Sequence, residues 1–386
     1  MKPSDVDRRL FLTSMGALLM APRSPSAQSA PADWERIAPG DAGFAPDLGD
    51  RLDKAIADRR IWNVHAVVVA RGGRLVLERY FAGADRARGR ALGVVDFGPD
   101  TLHDLRSVSK SIVGLLYGIA LQAGKVPPPE APLMASFPQY ADLAADPARA
   151  AWRVGHVLTM TMGTDWDELG VPYTDPTNSE IAMDAAPDRY RFVLERPVVL
   201  PPGSRWTYCG GATALLGHMI AEGSGQGLHD FARRNLFEPL GLHATEWLAD
   251  GRGEPLAASG LRLRPRDLAR LGQLMLQGGS VDGRQLVPAD WLMRSLTPAV
   301  SCDEVRRYGY HWYMGDMGFI VPAAPRWNRN RLERFWGAYG NGGQRLWVVP
   351  GLDLVVAVLA GNYDTPDQWV PPTRVMREVV LASITA

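Results

Sequence analysis

The sequence predicts an α/β (α+β) protein: an antiparallel sheet flanked by helices, with an all-helical subdomain inserted between its strands. Three observations carry this expectation. Two β-branched runs, His65–Ala70 and Leu75–Phe81, flank a Gly-Gly turn and read as a β-hairpin. Strand signals fade from 125 to 235, where Pro-rich turns separate short helical runs. They return in the last third, at Arg307–Met314, Arg345–Val349 and Asp353–Leu359. Strands on both sides of a helical block can build one sheet with the block inserted between them.

Taken in order, residues 48–60 read as a helix with charge on its exposed side. The hairpin follows, and the Gly-, Asp- and Arg-rich stretch 82–104 reads as surface loop. A helix then opens at Ser107 and runs to about Ala123, with Gly124 as its stop. Its apolar residues cover more than one face, so it is a buried helix, and Gly114 and Gly118 leave room for a close neighbour. Short helices are expected at Arg153–Met160, Ser179–Met183, Arg189–Leu194 and Thr213–Glu222. Residues 228–242 read as a helix ending in a Pro-Leu-Gly turn. Amphipathic helices follow at Arg266–Gln277 and Pro288–Leu296, and a closing helix at 372–384. The sheet region is thus about 50–105 and 240–386, and the helical subdomain about 110–235, within one domain, 31–386.

The first thirty residues are different in kind. Arg8-Arg9-Leu10-Phe11-Leu12, an apolar stretch to Ala21 and a small-residue tail read as a twin-arginine-type export signal over 1–30. The expected location is periplasmic or secreted. The apolar stretch is too short for a membrane span.

Composition narrows the function classes. The 386 residues are 46% hydrophobic and 22% charged, with zero formal net charge. Nothing in that balance argues for nucleic acid or an anionic membrane surface. Two cysteines, Cys209 and Cys302, exclude a disulfide-dense scaffold and a Cys-based zinc cluster. The seven histidines form no short ligand spacing, so no metal and no cofactor is expected. The sequence leaves the oligomeric state open.

Three segments could carry chemistry. In Ser107-Val108-Ser109-Lys110-Ser111, residues i and i+3 of a helix share a face, so hydroxyl and amine can meet. A neutral lysine can take a serine proton. The chain holds 42 Lys and Arg together, of which only four are Lys (2, 54, 110, 125). Lysine can lose its proton where arginine cannot, so its use here is informative. Ser107 also stands at a helix N-terminus, where its own N–H can help bind an oxyanion. The second segment, Pro201-Pro202-Gly203 to Tyr208-Cys209-Gly210-Gly211, delivers a tyrosine just before a helix. A tyrosine beside a cationic lysine can sit partly as phenolate. The third, Trp336 to Gln344, is a glycine cluster at a strand start, where backbone can approach a ligand closely. Read singly, each has a plain structural explanation: a helix start, a packed tyrosine, a hairpin turn.

In this order the three segments resemble the serine β-lactamase and penicillin-binding-protein-like hydrolases, in particular the class C β-lactamase-related branch with family VIII esterases and 6-aminohexanoate-oligomer hydrolases. The resemblance spans roughly residues 50–380. Met160-Thr161-Met162-Gly163, Leu236–Gly241 and Ser259-Gly260-Leu261-Arg262 add to it. It implies a β-lactamase/transpeptidase-like fold, with Ser107 as the acylated nucleophile, Lys110 as its activating partner and Tyr208 as general base and acid. Ala338-Tyr339-Gly340 would stand for the family's third motif, with a register one to three residues later as the alternative among the repeated glycines, and in the first register the N–H groups of Ser107 and Asn341 would hold the oxyanion. Tyr173, Tyr339 and Gly340 would contact substrate.

Two departures narrow the substrate. Tyr208-Cys209-Gly210 lacks the Asn of the family's Tyr-x-Asn, and Ala338 replaces the cation that faces a substrate carboxylate. Both favour a small ester or linear amide over a β-lactam. A β-lactamase or peptidoglycan DD-peptidase is the alternative, and a non-catalytic peptidoglycan-binding relative a more distant one. No GxSxG elbow occurs. Asp165-Trp166-Asp167-Glu168 reads as a solvated acidic loop near the cleft mouth. Trp312, Trp327 and Trp336 are candidates to line the cleft.

Overall fold

The structure is a computed structural model that describes residues 34–87, 89–321, 324 and 329–385. The export-signal reading and Trp327 lie outside them. Helix α1 (Leu48–Ala57) precedes the hairpin β1 (Val64–Arg71) and β2 (Arg74–Tyr80). Strands β3 (Gly83–Ala87), β4 (Arg90–Val95) and β5 (His103–Asp104) lead to α2 (Val108–Gln122). The helical block holds α3 (Ala141–Ala144), α4 (Pro147–Ala150), α5 (Val154–Leu158), α6 (Ser179–Ala185), α7 (Arg189–Glu195), α8 (Gly210–Ser224) and α9 (Leu228–Ala232). Then come β6 (Thr245–Trp247), β7 (Leu261–Leu263), α10 (Pro265–Leu276), β8 (Ser280–Val281), β9 (Arg284–Gln285) and α11 (Ala289–Ser295). The last third holds β10 (Val300–Ser301), β11 (Arg307–Tyr308), β12 (Tyr313–Ile320), β13 (Asn330–Gly340), β14 (Gln344–Val349), β15 (Leu354–Ala360) and α12 (Val370–Arg374).

Eight strands form one antiparallel sheet in the order β10-β11-β12-β13-β14-β15-β1-β2. The N-terminal hairpin therefore joins the C-terminal strands, with the helical block inserted between them, as the sequence predicts. Both faces are covered, which is why residues 66–70 of β1 and the whole of β15 read as unbroken apolar runs. Ala66, Val68 and Ala70 face the α2, α8 and α10 side, with Val355, Ala357 and Leu359. Val67, Val69, Val356 and Val358 face α1 and the C-terminal helices.

Helix α2 is buried on every side over its first thirteen residues. Its two glycines make the close contacts expected of them. A Cβ on Gly118 would fall 2.0 Å from the Trp291 ring, and Trp291 Nε1 donates to the Gly114 carbonyl at 2.9 Å.

Three expectations change. The stretch 82–104 is not plain loop: β3 and β4 pair with each other, and β5 pairs with β7. Its polar composition hid strands whose inward residues include Asp85 and His103. Arg307–Met314 is not one strand, because the chain kinks between β11 and β12. His311 adopts φ 62° there and is buried, its ring bonded to the Leu158 carbonyl and Thr213. The stretch before Gly340 is the long strand β13, missed because its outer half carries Arg331, Glu333 and Arg334 beside an exposed Leu332. The glycine cluster is thus the hairpin turn from β13 into β14.

Candidate active site

Ser107 is delivered by a strained turn. Strand β5 ends at Asp104, whose Oδ1 accepts the Arg106 N–H at 3.1 Å. Arg106 takes φ 49°, a left-handed conformation rare outside glycine, and Ser107 follows as the N-cap of α2. Ser107 and Lys110 meet as the i, i+3 spacing requires: Lys110 Nζ donates to Ser107 Oγ at 3.1 Å. Tyr208, two residues before α8, lies beside them. Its ring centroid is 4.8 Å from Lys110 Nζ.

Two residues the sequence reading left out complete the cluster. Glu168 and Glu180 are both 1% exposed, and Lys110 Nζ lies 3.3 Å from Glu168 Oε1 and 3.2 Å from Glu180 Oε2. The ammonium also donates to the Ala258 carbonyl at 3.2 Å. Glu168 was read as part of an acidic loop, but burial alternates there: Asp165 and Asp167 are exposed while Trp166 and Glu168 point inward. That alternation was the available signal. Glu180, in α6, carried none.

Glu168 is heavily solvated by protein. Its Oε2 accepts from Gly210 N at 2.5 Å and Trp166 Nε1 at 3.0 Å, and its Oε1 from the Tyr173 hydroxyl at 3.0 Å. Glu180 Oε1 accepts from Ser259 Oγ at 2.8 Å. Helix α8 can bring its N-terminus to this pair because residue 210 is glycine: a Cβ would lie 2.6 Å from Glu180 Oε2.

The electrostatics follow from burial and these partners. Burial alone would lower the Lys110 amine, but Glu168 and then Glu180 outweigh it and hold it well above the ordinary lysine range. Burial, with the neighbouring Glu180 adding to it against the pull of Lys110, pushes the Glu168 carboxyl up to about 8. The carboxyl pair therefore keeps a proton at neutral pH. Burial also pushes Tyr208 up to about 12, with Lys110 opposing the rise. The free site thus favours a protonated Lys110, a neutral Tyr208 and one shared carboxyl proton.

The third motif reaches the same turn. A Cβ on Gly340, the last residue of β13, would sit 2.5 Å from the Leu105 carbonyl and 3.1 Å from Arg106 Cβ. The strand end thus packs on the turn that carries Ser107. Asn341 follows, its amide exchanging hydrogen bonds with Asp364 (2.9 and 3.0 Å). Tyr339 points away from α2, stacked on Tyr313 with centroids 4.8 Å apart and under Arg345. Ala338 is fully buried.

Tyr173, Arg106, Ile181, Asp184 and Leu256 line a cavity of about 410 Å³ beside the cluster. Trp312 is fully buried and lines no cleft, and Trp336 is partly buried against the core. Cys209 and Cys302 are free thiols, and Cys209 Sγ caps α8 by accepting from Ala212 N at 3.3 Å. Among the described residues no helix is long and apolar enough to cross a membrane.

A protein-family model described as Beta-lactamase matches residues 52–380. The 6-aminohexanoate-dimer hydrolase of Paenarthrobacter ureafaciens is 27% identical over 344 residues, covering 83% of this chain and 76% of its own. The fold is shared with EstCE1, a hydrolase with promiscuous acyltransferase activity (TM-score 0.65, 15% identity, 88% of this chain and 99% of that one). It is also shared with the octameric penicillin-binding protein homologue of Pyrococcus abyssi (TM-score 0.61, 18% identity, 86% and 76%). At such identities the structural likeness concerns the fold alone. The family match spans both sheet segments and the helical block between them, so the chain belongs to the Beta-lactamase family and is a hydrolase of it.

Proposed function

We propose that the protein is a serine hydrolase that cleaves ester or linear amide bonds of small molecules through an acyl-enzyme on Ser107. The observation that carries this reading is the buried cluster in which Ser107 Oγ takes a hydrogen bond from Lys110 at 3.1 Å with Tyr208 against both. The name of the Paenarthrobacter ureafaciens relative, 6-aminohexanoate-dimer hydrolase, supports the small-molecule reading, and the acyltransferase activity in the name of EstCE1 is in keeping with an acyl-enzyme. Tyr208-Cys209-Gly210 supports it too, since no carboxamide follows the tyrosine.

The residues divide the work as follows. Of the two candidate bases, Tyr208 at about 12 is the easier to ionise, because two carboxylates hold Lys110 higher. In the reacting fraction Tyr208 has first released its proton to solvent, and the charged Lys110 stabilises the phenolate; Oη then takes the Ser107 proton as Oγ attacks the carbonyl carbon. The N–H groups of Ser107 and Asn341 hold the oxyanion. Collapse breaks the bond to the leaving group, which takes the Tyr208 proton. Water then repeats the sequence on the acyl-enzyme and frees Ser107. Tyr173, Gly340 and the backbone of Tyr339 are the proposed substrate contacts, with Tyr173 placed at the cavity it lines. The reading extends to residues 1–30 as an export signal, which N-terminal sequencing of protein from the periplasmic fraction tests: an intact N-terminus in the cytoplasm overturns it.

The test is a panel of a nitrophenyl ester, an aminohexanoate dimer and a chromogenic cephalosporin, with mass spectrometry of the trapped enzyme. Turnover of the ester or dimer, an adduct on Ser107, and loss of both in Ser107→Ala are expected. Preference for the cephalosporin would favour the β-lactamase reading. Inertness to all three, with no adduct, would favour a binding protein.

A further inference from the structure

We propose that His65 of β1, Asp85 of β3 and His103 of β5 form a buried site for a divalent transition-metal ion of the zinc class, separate from the hydrolytic cluster. The three side chains are 0–1% exposed and converge on one point. His65 Nδ1 and His103 Nε2 are 2.9 Å apart, and Asp85 Oδ1 lies 4.0 Å from the first and 3.9 Å from the second. The point equidistant from three atoms at those separations is about 2.1 Å from each, within the usual range for zinc–imidazole and zinc–carboxylate bonds.

The outer atoms show which way the lone pairs point. His103 Nδ1 lies 2.9 Å from the Asp104 carbonyl, which can only accept, so that nitrogen carries hydrogen. The Asn63 amide directs its Nδ2 to the Ala84 carbonyl, which turns its Oδ1 to His65 Nε2 at 3.1 Å. That nitrogen carries hydrogen as well. In neutral rings the two inner nitrogens are then both lone pairs, facing each other and a carboxylate. Such a grouping calls for a cation at its centre. An outer N–H on a carbonyl is also how metal-bound imidazoles are held. The Tyr363 hydroxyl orients Asp85 by donating to its Oδ1 at 2.9 Å, and Phe97 stacks on His65 at 4.2 Å. Nothing in the sequence announces the site, because its ligands come from three separate strands and show no short spacing.

The placement suggests a structural role. β1 belongs to the large sheet, β3 to a two-stranded sheet, and β5 to the three-stranded sheet that leads into Ser107. An ion here would pin all three together four residues before the nucleophile. With its ligands buried, it would enter as the chain folds.

Elemental analysis of the full chain, made in zinc-supplemented medium and then desalted, tests this. About one equivalent of metal is expected, absent from Asp85→Asn and His103→Gln. Wild-type protein unfolded and refolded in chelator should melt lower and recover on refolding with zinc. X-ray absorption on wild-type protein decides independently of how the variants fold, and should give a nitrogen and oxygen shell with imidazole scattering and no sulfur. Substoichiometric metal in the wild type, equal metal in both variants, or a sulfur ligand would overturn the proposal. The three residues would then share a proton instead.

Discussion

Replacing Lys110 by methionine keeps most of the side-chain volume and removes the charge between Glu168 and Glu180. In the native site the pair holds one proton at neutral pH, with the Glu168 carboxyl raised to about 8. Without the ammonium 3.2–3.3 Å away, the second carboxyl loses its counter-charge in a site about 1% exposed. It should keep its proton too. A carboxyl whose folded pKa lies above its unfolded value gives stability that is complete below the unfolded value, about 4.5, and lost as pH rises through the folded one. Wild type should therefore weaken from about pH 4.5 to about 8 on account of one retained proton. Lys110→Met should weaken on account of two. Each proton is worth about 1.4 kcal/mol per pH unit, so the variant should lose about 4 kcal/mol more than wild type between pH 5 and 8. Urea denaturation at pH 5, 6, 7 and 8 measures this. Parallel curves would mean that Lys110 is not what keeps one carboxylate ionised, and the assignment of charges in the site would fail.

Tyr208→Phe should fold normally, since the ring keeps its contacts with Trp206 and Lys110. Its kcat on a nitrophenyl ester should fall by roughly 10²-fold or more, and retained turnover would remove Tyr208 as the base. Gly340→Ala puts a Cβ 2.5 Å from the Leu105 carbonyl, so the turn carrying Ser107 must move. Ester turnover should drop at least about tenfold with about 1–3 kcal/mol of stability lost, and unchanged kinetics would show that the strand end does not set the nucleophile. Hydrolysis should rise with pH and level off above about pH 8, as loss of the carboxyl pair's proton adds negative charge near Tyr208 and opposes its phenolate. A rate still rising at pH 9 in a buffered kcat profile would contradict this.

What the sequence made legible was whatever depends on short spacing. The Ser107–Lys110 pair follows from helical geometry, and β1 and β15 from burial on both faces. Tyr208 could be placed because a rigid turn and a helix start bracket it. Glu168 carried only the weak hint of its alternation with Asp165 and Asp167, and Glu180 carried none, for the opposite reason. Their partner Lys110 lies 58 and 70 residues away in sequence, and a carboxylate in a polar loop looks alike whether it turns in or out. Strand β13 was hidden because its charged outer half breaks the apolar alternation that its inner half obeys. His65, Asp85 and His103 meet only through three different strand pairings, which no local pattern encodes.

The position of β1 between β2 and β15 sets an order of assembly. Val68 pairs with Ala357, close to the far end of the chain. During synthesis the β1–β2 hairpin has one edge without a neighbour until nearly all the rest has emerged. Helix α2 packs on β13 and β14, which are also late. Closing so long a loop costs little extra at equilibrium but slows the search for the native pairing. The serine is thus made early and armed late: an elongating chain carries a complete Ser107–Lys110 segment with no sheet beneath it, and competence to cut anything arrives only with the final strand.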